Sequence, residues 1–176
     1  DIRWDAALAF VEKLQNRDAS DPENHGGFGY ERGGARGGTT ASEGGTVALQ
    51  GYGSMTYAGI ESMIYAQVGR DDPRVRSAID WASRHWTVAE NPGMGARGLF
   101  YYYTILAKTL RLLGGDGELR NPAGEPVPWR ADLAARLVAT QRGDGSWAND
   151  DNTFWEGDPA LVTAYALLAL QFAAGD

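Results

Sequence analysis

Residues 141–174 read QRGDGSWANDDNTFWEGDPALVTAYALLALQFAA and carry both signals on which the fold turns. The first part is a break: Gly143, Asp144 and Gly145 cannot continue a helix. Asp158-Pro159 then sets a capping carboxylate before a proline at a first helical position, where a missing N–H costs nothing. The second part, Ala160 to Ala174, is apolar all round and broken only by Thr163 and Gln171. A helix of that composition belongs in an interior. It falls short of the roughly 20 residues that span a bilayer.

Two other segments have the same character, Met55 to Val68 and Leu99 to Leu113. Each of the three follows an amphipathic one. Trp4 to Gln15 carries Trp4, Leu8, Val11 and Leu14 on one face, and Pro73 to Trp86 carries Val75, Ile79, Ala82 and Trp86. Ala131 to Gln141 repeats the pattern with Leu133, Ala134, Leu137 and Val138. Gln15, Trp86 and Gln141 sit at equivalent ends, 71 and then 55 residues apart. The order predicts an all-α chain built as a threefold repeat of a helix pair. One pair cannot bury its apolar member, whereas stacked pairs can, so a layered ring or solenoid is expected. Strand signals are nearly absent, apart from a short extended piece at Gly27 to Tyr30.

Composition narrows the function. The 176 residues suit a single domain, read as 1–176. Sixteen Lys and Arg against 23 Asp and Glu give a net charge of −7, which argues against a nucleic-acid backbone as partner. The mean hydropathy of −0.37 and the short apolar runs exclude a transmembrane protein while leaving peripheral membrane contact open. With no cysteine, disulfides, thiolate zinc sites and cysteine nucleophiles are excluded, and the compartment stays unassigned. His25 and His85 lie 60 residues apart with no ligand pattern around either, so neither a metal nor a cofactor is expected. Glycine is in excess, at 24 residues, of which 11 fall between Gly26 and Gly53. That stretch, with Arg32 and Arg36 among its glycines, lacks a phosphate-loop pattern and reads as a surface loop or lid.

The segment Gln141 to Trp147 has the form Q-x3-G-x-W and is followed by PALVTAYALLAL. The combination resembles the repeats of squalene-hopene cyclases and of protein prenyltransferase β-subunits. WTVAENPGMGARGLFYYYTILAKTL, from Trp86 to Leu110, and GSMTYAGIESMIYA, from Gly53 to Ala66, are similar to the same family. The resemblance implies an α/α toroid, with the apolar helices inside and the amphipathic ones outside. It also gives Gln141, Gly145 and Trp147 a structural role in tying helix ends together. The chain supplies three helical hairpins, a partial ring. That leaves three readings: a piece of a longer protein, an open half-ring, or closure through a second copy as a homodimer. The abrupt start and finish on helices favours the first.

The resemblance also implies a chemistry, the protonation of an alkene by a buried acid in a D-x-D-D motif. In register with that motif stand Glu156, Gly157, Asp158 and Pro159, so Asp158 is the candidate proton donor and Glu156 its partner. Pro159 replaces the third acid. Asp158 before Pro159 is equally explained as a helix cap, and Asp71-Asp72-Pro73 shows the same device without chemistry. Tyr57, Tyr102 and Tyr165 are candidate cavity aromatics whose ring faces would stabilise a carbocation, with core packing as the plainer alternative. The zinc and thioester branches of the toroid proteins need a cysteine and are excluded. The expected function is binding, or acid-initiated cyclisation, of an isoprenoid-like apolar substrate. The alternative is a non-catalytic toroid module for protein or glycan contacts, with Trp129 and Trp155 exposed beside acids.

Overall fold

Two aspartate-proline pairs frame the helices. In a computed structural model that describes residues 1–30, 39–41 and 47–175, the Asp72 carboxylate accepts Arg74 N–H at 2.9 Å and opens a helix at Pro73. Asp158 accepts Ala160 N–H at 2.8 Å and opens another at Pro159. The described residues form six α-helices: α1 (Trp4–Glu12), α2 (Gly53–Tyr65), α3 (Pro73–Arg84), α4 (Leu99–Leu112), α5 (Trp129–Thr140) and α6 (Pro159–Ala174). The described residues are thus helical but for one hairpin inside the glycine-rich stretch, β1 (Thr39–Ala41) antiparallel to β2 (Val47–Leu49). That hairpin replaces part of the expected loop. Arg32, Arg36 and all the glycines from Gly33 to Gly45 lie outside the described residues. The contacts divide the chain into two compact units, residues 1–85 and 86–176, each described by itself.

In the first unit the segment after α1 turns back on itself, and Gln15 bridges Phe28 in antiparallel fashion. The Gln15 amide donates to Arg74 O at 2.8 Å and to Gly26 O at 3.2 Å, which fastens this turn to α3. Asn24 is buried and holds the chain that leads into α2, donating to Leu49 O at 3.0 Å and accepting Gly51 N–H at 2.7 Å. Phe28 is fully buried against α2, where a Cβ on Gly59 would stand 2.6 Å from its ring. Gly26, at φ +92°, passes so close to α3 that a Cβ would lie 2.0 Å from Ser77 O. α3 buries Val75, Ala78, Ile79, Trp81 and Ala82. α1 differs from expectation. An apolar stripe of Trp4, Leu8, Val11 and Leu14 implies one buried face, yet none of the helix's residues is buried, and Trp4 stands half exposed.

In the second unit α6 packs against both α4 and α5. Tyr102 and Tyr103 are buried and donate their hydroxyls to Thr87 O at 2.8 Å and Val88 O at 2.6 Å, which pins the segment before α4. Burial pushes the Tyr103 phenol up, and its hydrogen bond from Arg136 opposes that. Trp129, expected at the surface, is buried instead, because its indole N–H reaches Gly115 O at 3.2 Å across the turn before α5. The neighbouring Arg130 donates to Ala173 O at 2.5 Å and so serves the carbonyl end of α6. α6 also departs from the interior helix predicted for it. It buries Val162, Ala166, Ala169 and Ala173 on one face and leaves Leu167 and Leu168 exposed on the other.

Arg74 joins the two ends of the first unit's helical frame, pairing with Glu12 at the close of α1 and with Asp72 at the start of α3. Hydrogen bonds from the Arg74 side chain and then its backbone N–H hold Asp72 down to about 2. A depressed carboxylate adds stability above its unfolded value of about 3.9 and loses it as the pH falls towards the folded one. Denaturant unfolding at a series of pH values is therefore expected to show stability dropping between about pH 5 and pH 2. Asp72→Asn, which retains the cap oxygen, is expected to flatten that limb. Gly59→Ala is expected to cost about 1–3 kcal/mol by crowding Phe28.

Candidate functional site

The first N–H groups of a helix need acceptors, and the N-terminus of α4 begins at Gly98, which has no side chain to offer. The acceptor comes from far along the sequence. Glu156, 1% exposed, takes Tyr101 N–H on Oε1 at 2.8 Å and Asn149 Nδ2 on Oε2 at 2.7 Å. Its own carbonyl accepts Asn149 N–H at 2.8 Å. Because Glu156 lies three residues before Pro159, this contact sets the N-terminal ends of α4 and α6 side by side. A buried carboxylate at a helix N-terminus is favoured by the dipole as well as by the hydrogen bonds.

The loop 149–158 is closed by its own polar groups. Asn149 Oδ1 accepts Asp151 N–H at 3.2 Å, and Asp151 Oδ1 accepts Thr153 N–H at 2.9 Å. The bonds to Thr153, side chain and backbone, hold the Asp151 carboxyl below its ordinary value. Asn152 Oδ1 accepts Gly157 N–H at 2.9 Å. Phe154 packs towards Gly98, with 3.3 Å to the place of a Cβ there. Trp155 turns the other way, 76% exposed and on left-handed backbone at φ +59°.

The two candidate acids therefore hold different posts. Glu156 is buried and fully engaged with α4 and Asn149, while Asp158 is exposed and caps α6. Alkene protonation asks for a dry acid that donates, and the Asp158 oxygen accepts an N–H in the open. Of the candidate aromatics, Tyr57 and Tyr102 are buried in separate units, and burial pushes the Tyr57 phenol up. Tyr165 is half-buried on α6 and meets Tyr101 edge-on, ring centroids 6.1 Å apart. Tyr101 is 42% exposed, so the residue that joins Tyr165 at the surface is one that sequence reasoning left out of the site. Its neighbours in the run Tyr101-Tyr102-Tyr103 gave the hint, because three successive helical residues spread over more than half a turn and cannot all share one face.

The repeat motif closes the turn ahead of this loop. Gln141 Nε2 donates to Gly145 O at 2.9 Å, with Gly145 at φ +86°. Trp147 is buried, its indole donating to Leu137 O at 2.8 Å in α5 and its backbone N–H to Thr163 Oγ1 at 3.1 Å in α6. Among the described residues no group of three or more His, Cys, Asp or Glu is placed to hold a metal ion, and no helix is long and apolar enough to cross a membrane. No protein-family model, curated protein or solved structure matches the chain.

Asp158→Ala is expected to cost about 1 kcal/mol in thermal or urea unfolding, and Asp158→Asn almost nothing, since Asn also caps. Glu156→Gln is expected to cost about 1–3 kcal/mol, because an amide turns a donor towards one of two existing donors. Equal stability of Glu156→Gln and the unaltered chain would remove the carboxylate from the account of α4.

Proposed function

We propose that the chain is part of an α/α toroid of the squalene-hopene cyclase and prenyltransferase repeat type, and that its α4–α6 surface binds an isoprenoid-like apolar molecule. The observation that carries the reading is the open face of α6. No residue of this 16-residue helix bears a charge, and Leu167 and Leu168 stand 55% and 41% exposed on it. Tyr101 and Tyr165 add two aromatic edges to the same pair of helices. In a chain with a charge of −7, such a surface favours an uncharged hydrocarbon over an ionic ligand. The Gln141–Gly145–Trp147 turn, which joins α5 to α6, supports the toroid part of the proposal.

The role assigned to this surface is binding. Asp158 as a helix cap and Glu156 as a buried link leave the recognition of the ligand to apolar contact. Farnesol, a short water-dispersible isoprenoid alcohol, is the probe for titration calorimetry. Saturable binding is expected, weakened about tenfold or more by Leu168→Asp, as the loss of one buried leucine contact implies. Absence of saturable binding, or binding indifferent to Leu168→Asp, would overturn the reading.

A further inference from the structure

The first unit holds an open groove of about 450 Å³ between α1 and the C-terminal end of α2. From α1 come Trp4, Ala7, Leu8 and Val11, at the i, i+3, i+4, i+7 spacing of one helical stripe. From α2 and the residue that follows it come Ser62, Tyr65 and Ala66, at i, i+3, i+4. Three of the lining residues are small. Ala7, Ser62 and Ala66 are too short to fill the space between the helices, whereas Trp4 and Tyr65 provide an aromatic ring from each side. Among the described residues no charged side chain lines the groove, although 39 of the 176 residues are charged.

Ordinary packing does not explain this arrangement. α1 has nine residues, a length at which an isolated helix is marginal in water, and it buries none of them fully. Glu12 at its end pairs with Arg74. A better-packed α1 would place larger side chains where Ala7, Ser62 and Ala66 stand. The volume falls within the range of about 300–1,000 Å³ found for small-molecule pockets.

We propose that the α1–α2 groove is a small-molecule site for an uncharged aromatic compound, held between Trp4 and Tyr65. The absence of lining charge selects a neutral ligand, because an ion would be desolvated there with no partner. The two rings select an aromatic one, through offset or edge contacts. Occupancy would cover Leu8 and Val11 and so fasten α1 to α2. This site is independent of the α4–α6 reading.

N-Phenyl-1-naphthylamine, a neutral aromatic dye that brightens in apolar surroundings, is the probe. Saturable enhancement is expected, together with slower amide exchange in residues 4–12 of the bound protein. Ala66→Trp fills the groove from a half-buried position, and Ala7→Lys places a charge in it from an exposed one. Each is expected to weaken dye binding at least tenfold while leaving farnesol binding as it is. Dye binding indifferent to both variants, or no saturable binding, would overturn the proposal. The farnesol titration of the same variants keeps its failure distinguishable from that of the α4–α6 reading.

Discussion

The carboxylate of Glu156 is the constraint on which the second unit depends. A helix start leaves several N–H groups without partners, and Gly98 offers α4 no cap of its own. The chain meets this need with a side chain 55 residues downstream. Closing that contact fixes where loop 149–158 can run, and hence where α6 begins. Asn149 supplies the second donor, so the buried charge is not left with an empty oxygen. Asn24 does comparable work in the first unit, where one buried amide holds the backbone at Leu49 and Gly51 and so delivers the chain into α2. In both units, a buried polar side chain places the irregular chain that leads into a helix.

The packing of α6 follows from the size of its residues rather than their polarity. Val162, Ala166, Ala169 and Ala173 recur at i, i+4, i+7 and i+11, and this small-residue stripe is the face that goes inward. Small side chains let helix axes approach closely, and Thr104 Oγ1 reaches Tyr165 O at 3.1 Å across the gap between α4 and α6. With the narrow face taken by α4 and α5, the bulky Leu167 and Leu168 are left outside. A helix apolar on every side thus acquires two unlike faces. Hydrophobicity alone could not separate them, because alanine and leucine score alike as apolar while only one of them permits close approach.

Much of the fold was legible for local reasons. The starts of α3 and α6 were readable because Asp72-Pro73 and Asp158-Pro159 state the cap and the first helical residue together. The starts of α1 and α4 and the end of α6 also fall where expected, while the remaining ends differ by a few residues. α2 begins at Gly53 rather than Met55, and α5 at Trp129 rather than Ala131, where the chain just past Pro128 gave no helical period. The hairpin of β1 and β2 was missed because strands of three residues are too short to show alternation. At the candidate site the legible part was the chemistry of each side chain. The illegible part was pairing: nothing around Glu156 announces Tyr101 N–H, and nothing around Trp129 announces Gly115 O.

The two aspartate-proline caps show how a motif and its local structure differ in what they mean. Asp72 and Asp158 do the same thing to the backbone, accepting the N–H two residues on. Their surroundings separate them. Asp72 meets the guanidinium of Arg74, which in turn reaches Glu12, so its charge is built into an ion-pair frame. Asp158 has its cap bond and open water, with the buried Glu156 two residues before it facing the other way, into α4. An acid motif read along the chain assumes that neighbours in sequence share one site. Here the turn between Glu156 and Asp158 sends one carboxylate inward and the other outward, so the spacing that suggested an acid pair is the spacing that separates it.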